Sequence, residues 1–268
     1  RTSSAQPRVK KPAASAPVAK PAPRPARPAA PANVGATALA IQFDAEPVDR
    51  QLVRTNENVI VPISTPSAQA VVSATRDIPV VFTAVTDPLG AQLVKDMDKP
   101  GGNVTGLSDM SPVASHVDLI KEIMPEVKTI GYLYNSGEAN SVSLLAVLKE
   151  AADAAGIAVV ESAATKTAEV QGAARALIGR ADAIYVPTDN TIISALESAV
   201  AVAEEAKVPL FTADTDSVAR GSIAALGFNY YDVGKQTGEV VVRILKGENP
   251  GDIAVKVAEG TDLVVNQT

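Results

Sequence analysis

The stretch "NVIVPISTPSAQAVV" (58–72) takes an apolar run through a proline into a cluster of small hydroxyl residues, then resumes with helix-like spacing. Far down the chain, "DAIYVPTDNTIISAL" (182–196) repeats that grammar. A short, wholly apolar run fits a strand covered on both faces, and such strands belong to parallel sheets flanked by helices. The repetition raises a question of function. A chain that twice sends a buried strand into Ser, Thr, Asp and Asn is either capping helices or building the walls of a site.

The same alternation runs through most of the chain. Strands are expected at 58–63, 79–85 and 103–106, with helices near 66–75 and 88–97. A second series reads strand 128–134, helix 140–155, strand 157–161, helix 167–179, strand 182–187, helix 190–206, and strands 208–212 and 223–228. Helix 231–246 and an extended stretch at 252–266 close it. Helix 140–155 begins at Asn/Ser and ends before Gly156, as caps predict. Its apolar stripe is read as Val142, Leu145, Val147, Leu148 and Ala152. Strand–helix alternation of this kind means parallel βαβ units with right-handed crossovers, an α/β fold. The series divides near "GLSDMSP" (106–112), so two sheets of three to five strands fit better than a single wide one.

Composition narrows the chemistry. Aromatic residues are only 3% and Trp is absent, so the core is built from Val, Ile, Leu and Ala. There is no Cys, which removes disulfides and thiolate chemistry. The single histidine, His116, is read as a surface helix residue. Residues 1–43 hold seven Lys/Arg and no acid, leaving the rest near −13 of a net −6. That acidic body argues against nucleic acid as a partner. Residues 1–35 are Pro/Ala/Lys/Arg-rich and read as a disordered tether. "ALAIQF" (38–43) reads as a strand and "PVDRQLVRTN" (47–56) as a short helix.

In open parallel sheets, ligands gather at the carboxyl ends of strands. Those ends read "STPSAQ" (64–69), "TAVTDP" (83–88), "YNSGEANS" (134–141), "PTDNT" (187–191) and "ADTDS" (213–217). Ser64 and Thr65 offer hydroxyls, and Ser67 and Ala68 after Pro66 offer helix-start N–H groups that suit a carboxylate or phosphate. Capping is the plainer account of each cluster by itself. Asp87, Asp189, Asp214 and Asp216 supply carboxylates fit to hold a ligand's ammonium group. No GxGxxG, Walker, GxSxG or HExxH pattern is present, so neither an enzyme nor a cofactor is expected.

"TPSAQAVVSATRDIPVVFTAVTDPLGAQLV", "PGGNVTGLSDMSP", "YNSGEANSVSLL", "IYVPTDNTIISALESAV", "PLFTADTDSVARGSIAALGFNYYDVGKQTGE" and "GTDLVVN" resemble the bacterial ABC-transporter substrate-binding proteins of the tryptophan/aromatic amino-acid type. The resemblance runs from about residue 58 to 268. It implies two Rossmann-like lobes with parallel sheets, the type I periplasmic binding protein fold, joined by three crossing strands. Lobe one would be 36–107 plus about 229–250, and lobe two 108–228 plus about 251–268. It implies a small amino acid, aromatic or branched neutral, held between the lobes by hinge closure. Delivery would be to ABC permease subunits from a periplasmic or lipid-anchored position. Carried over by residue, Thr65, Pro66, Ser67 and Ala68 meet the ligand carboxylate, with Ala84 and Thr86 alongside. Tyr134, Asn135, Asn140, Asp189, Asn190 and Asp214 face them from lobe two, Asp214 taking the ammonium. Phe82, Tyr134 and Phe228 are the aromatic candidates for stacking, although Phe82 sits mid-strand as a core residue does. The front departs from the family pattern, so lobe one is expected to be incomplete or altered at its N-terminus, with a gap or open edge beside 58–63. A ligand-sensing regulatory domain of the same fold is the alternative function.

Overall fold

A computed structural model describes residues 57–267 together with the backbone of 38–41. The tether expected at 1–35 and the helix at 47–56 lie outside those residues. The strands are β1 (Ala38–Ile41), β2 (Val59–Pro62), β3 (Val80–Phe82), β4 (Val104–Ser108), β5 (Thr129–Tyr134), β6 (Ala158–Ala163), β7 (Ala183–Val186), β8 (Leu210–Thr212), β9 (Ala224–Phe228), β10 (Lys256–Val257) and β11 (Thr261–Val265). They form two sheets, ordered β1-β2-β3-β4-β10 and β11-β9-β8-β7-β5-β6. All pairings are parallel except β11 with β9. β1 lies beside β2 in register Ala38 to Val59, so the edge expected to be open there carries a strand.

β2, β3 and β7 are buried along their whole length, as the apolar runs required. Helix α1 (Thr65–Ala74) covers one face of the first sheet, packing Ala68, Val71 and Val72 against Ile60, Val80 and Phe82. On the second sheet, α2 (Val113–Ile123) and α3 (Ala139–Ala154) share one face. α4 (Val170–Arg175), α5 (Asn190–Ser194) and α6 (Leu196–Ala206) supply the other. α7 (Tyr230–Leu245) returns to the first sheet, where Val233, Val240, Val241 and Ile244 meet Val59, Val61 and Val81. The chain therefore crosses between lobes after β4, after β9 and between β10 and β11.

Several local expectations change. No helix forms over 88–97. Instead Asp87 accepts from Gly90 N–H at 2.8 Å and Gln92 takes φ 59°, a succession of turns. The helix expected at 190–206 breaks at Ala195, next to Ser194, whose hydroxyl donates to the Asn190 carbonyl at 2.7 Å and competes with the helix backbone. The helix expected at 167–179 contracts to a 3-10 turn at Thr167–Glu169 followed by α4. Val142 and Val147 on α3 face solvent, because the buried stripe is Ser141, Leu144, Leu145, Leu148 and Ala152. β6 is only partly covered, since it lies at a sheet edge. The last crossing, expected near 250, falls later, because Lys256–Val257 pairs with β4 in the first sheet.

His116 is the largest correction. It is 3% exposed, with Nε2 2.6 Å from the Leu226 carbonyl and Nδ1 2.6 Å from the Tyr185 hydroxyl. A carbonyl can only accept, so Nε2 carries the proton and Nδ1 accepts from Tyr185, a satisfied neutral imidazole. Burial pushes its pKa down to about 4. The unfolded chain takes up this proton near pH 6.5, so the stability the neutral form confers is complete above that pH. It is lost as pH falls toward 4, by about 3 kcal/mol in total. Urea melts at pH 7.5 and 4.5 should show this loss, and His116→Gln should flatten it by about 2–3 kcal/mol. Equal pH slopes in the two proteins would contradict the assignment.

Candidate functional site

A cavity of about 560 Å³ opens between the carboxyl ends of the two sheets. Its lobe-one wall begins where β2 runs out. Ser64 turns the chain at φ 79° and Ala84, at the end of β3, at φ 51°. Left-handed backbone costs a non-glycine residue about 1–3 kcal/mol and gathers at functional sites. α1 then starts at Thr65, with Pro66 in its first turn. Within this first turn Thr65 and Ser67 keep N–H groups without an acceptor in the helix. Pro66 has none, and the Ala68 N–H, expected to be free, donates to the Ser64 carbonyl at 3.0 Å. The helix start is also its positive end.

The hydroxyls that would have capped this helix do not. Ser64 makes no side-chain cap bond, and Ser64 Oγ, Thr65 Oγ1 and Ser67 Oγ are all buried without a partner. Their exposures are 9%, 1% and 4%. Three idle buried hydroxyls at one helix start, beside its N–H groups, have the chemistry to pair with an anion such as a carboxylate.

The echo at 182–196 is built differently. Asp189 caps α5, accepting from Ile192 N–H at 2.8 Å. Its other oxygen takes Asn135 N–H and the Ser141 hydroxyl, each at 2.6 Å. Glu138, 5% exposed, adds a second carboxylate at the same helix start. It accepts the N–H groups of Asn190 and Thr191, both at 3.0 Å, the Thr191 hydroxyl at 2.8 Å and the Asn190 amide at 2.7 Å. Burial raises the Asp189 carboxyl to about 6, with the nearby Glu138 charge pushing the same way. Asn140 donates to the Thr188 carbonyl at 2.8 Å, while its own Oδ1 is buried and unpartnered.

Of the residues anticipated from sequence, Ser64, Thr65, Ala84, Thr86, Asn140, Asp189, Asn190 and Asp214 line the cavity. Pro66, Ser67 and Ala68 lie behind them in the first turn of α1. Asp87 instead bridges the lobes, accepting from the Ser143 hydroxyl at 2.8 Å. Tyr134 turns away, donating to Glu161 at 2.9 Å and packing on Tyr132. The Asn135 side chain is spent on Thr191 and Gly137. Phe82 and Phe228 are core residues. Gly106 permits the close packing of Phe82, since a Cβ there would lie 2.5 Å from its ring.

Residues not anticipated complete the lining. Asp109 and Tyr230 meet within it, the tyrosine hydroxyl donating to the carboxylate at 3.0 Å. Ile63, Ile193 and Val233 give it an apolar part. Arg220 is present, but its guanidinium is committed to Glu197 at 2.8 and 3.0 Å and to the Ile193 carbonyl. Asp109 had a signal only in "GLSDMSP", where the change of lobe drew attention away from its carboxylate.

Two α/β lobes, three crossings and a polar cleft at the strand ends define the type I periplasmic binding protein fold. The chain belongs to the ABC transporter substrate binding protein family, whose pattern matches residues 33–268. It is 40% identical over 217 residues to a protein named tyrosine-binding protein from Clostridioides difficile, covering 81% of this chain and 63% of that protein's length. The crystal structure of a conserved domain protein from Vibrio cholerae is 55% identical, with TM-score 0.81, over 82% of this chain and 75% of that one. A Streptococcus pneumoniae ABC domain in complex with L-Trp is 41% identical, with TM-score 0.81, over 83% and 77%. A ligand-free, open substrate-binding protein from Clostridium difficile, also 41% identical, covers 83% and 76% but gives TM-score 0.63.

Proposed function

We propose that this chain is the extracytoplasmic solute-binding component of an ABC uptake transporter, that it holds a zwitterionic amino acid with an aromatic side chain between its lobes, and that it hands it to membrane permease subunits. The observation that carries this reading is the pair of partnerless hydroxyls, Ser64 and Thr65, that line the cavity at the start of α1 with Ser67 behind them, in a cavity that several carboxylates also line. The helix start suits a carboxylate and the lining carboxylates suit an ammonium, the two ends of an α-amino acid. Ile63, Ile193, Val233 and the partly exposed ring of Tyr230 are left for the side chain. The relatives named for tyrosine and solved with L-Trp support the aromatic choice.

Hinge closure fits the same picture. At equal identity the chain superposes better on the L-Trp complex than on the open, ligand-free protein. Contacts already span the cleft, from Ser143 to Asp87 and, more loosely, between Thr86 and Thr188 at 3.5 Å. Calorimetry against the twenty amino acids is the direct test. L-Trp or L-Tyr should bind with Kd of about 1 µM or tighter. Tight binding of a branched aliphatic instead would move the side-chain assignment, and no binding by any amino acid would overturn the reading.

A further inference from the structure

Several carboxylates line the cleft, and the structure separates them by what they already hold. Asp189 already holds two N–H groups and a hydroxyl and fixes the start of α5. Asp214 is half-buried, accepts the N–H and the single hydroxyl of Ser217 at 2.7–3.0 Å, and already feels the positive charge of Arg220. Asp216 is exposed. Asp109 is different. It is 2% exposed, and each oxygen accepts one neutral hydroxyl, from Thr86 at 3.2 Å and Tyr230 at 3.0 Å. Among the described residues no Lys or Arg forms an ion pair with it. A carboxylate accepts about four hydrogen bonds, so Asp109 keeps room for a further donor, and unlike Asp214 it has no cation beside it among the described residues.

A buried carboxylate without a cation is costly unless a charged partner arrives. Consistent with this, burial raises the Asp109 carboxyl above the ordinary range. Its place in the fold matters too. Asp109 begins the first crossing between lobes, and Tyr230 starts α7 just beyond the second. A cation held here touches the segments about which the lobes turn.

We infer that Asp109, oriented by Thr86 and Tyr230, is the group that binds the ligand's α-ammonium, and that Asp214 serves the fold of its own loop. This rests on the amino-acid reading above. It predicts that the protein distinguishes amino acids from the matching deaminated acids at Asp109.

The test pairs Asp109→Asn and Asp214→Asn with two ligands, L-Trp and indole-3-propionate, which lacks only the ammonium. In the wild type, loss of the ammonium should weaken binding about 100-fold. In Asp109→Asn, L-Trp should weaken about 100-fold while indole-3-propionate holds within threefold, so the two ligands converge. A folding defect would depress both ligands together. Thermal melts and the retained indole-3-propionate binding therefore certify the variant. Asp214→Asn should keep the wild-type preference. If Asp214→Asn collapses that preference and Asp109→Asn does not, the assignment is overturned. Failure of wild type to bind L-Trp, L-Tyr or any other amino acid would instead overturn the reading beneath it.

Discussion

Thr65→Asp is expected to abolish aromatic amino-acid binding, by about 1000-fold or more, in a protein that still folds. It should be about 1–3 kcal/mol less stable than the parent, because the new carboxylate is buried without a cation. Thr65 is the first residue of α1, 1% exposed, and its hydroxyl has no partner. An aspartate at the first position of a helix is favoured by the helix dipole and by first-turn N–H groups that lack acceptors. The new carboxylate would settle among the hydroxyls of Ser64 and Ser67 and occupy the place proposed for the ligand's carboxylate. A carboxylate already sits at another helix start in this protein, where Glu138 accepts the N–H groups of Asn190 and Thr191, although in α1 Pro66 leaves one N–H fewer. A like charge placed against the ligand's carboxylate costs several kcal/mol, hence the fold-change. Calorimetry with L-Trp and a thermal melt measure the two halves of the claim. Tryptamine, which has no carboxylate, should lose far less affinity than L-Trp. Wild-type affinity for L-Trp in Thr65→Asp would remove α1 from the site.

The contrast between α1 and α5 also shows what the sequence could and could not disclose. Period, apolar runs and turn residues placed nearly every strand, because a strand buried on both faces has little alternative to Val, Ile and Ala. The failures are tertiary. Pro88–Met97 has helical spacing, but the Asp87 carboxylate and the left-handed Gln92 divert it into turns. His116 looked solvated because its partners, Tyr185 and Leu226, are distant in sequence. Both opening clusters looked like caps. Only the fold shows that Asp189 caps a helix while Ser64, Thr65 and Ser67 do not. The carboxylates were visible as residues, yet which of them had spent its hydrogen-bonding capacity was invisible. Asp214 drew the ammonium assignment because it sits in a strand-end cluster. Asp109, in the segment read as a boundary, is the more deeply buried and has no cation beside it among the described residues, whereas Asp214 has Arg220.

Glu138→Ala should destabilise lobe two strongly, lowering stability by about 3 kcal/mol and the melting temperature by about 6–12 °C. Glu138 accepts from two backbone N–H groups, one hydroxyl and the amides of Asn190 and Asn140, the last at 3.2 Å. Removing it leaves these donors, several of them buried, without their acceptor. One effect opposes the loss, because the Glu138 charge also pushes up the Asp189 carboxyl, and its removal relieves that repulsion. The donors outnumber this single repulsion, so the net sign is a loss. Glu138→Gln should fall between wild type and alanine, since it keeps one carbonyl oxygen for the α5 N–H groups and drops the charge. Binding should follow the same order with a smaller amplitude, about tenfold for alanine, because Asn140 and Asn190 line the cleft and take their orientation from this carboxylate. Denaturant unfolding of the three proteins, with and without L-Trp, separates the two effects. If alanine proved as stable as wild type, the two carboxylates would be a net electrostatic burden on the start of α5, and Asp189 alone would suffice to hold it.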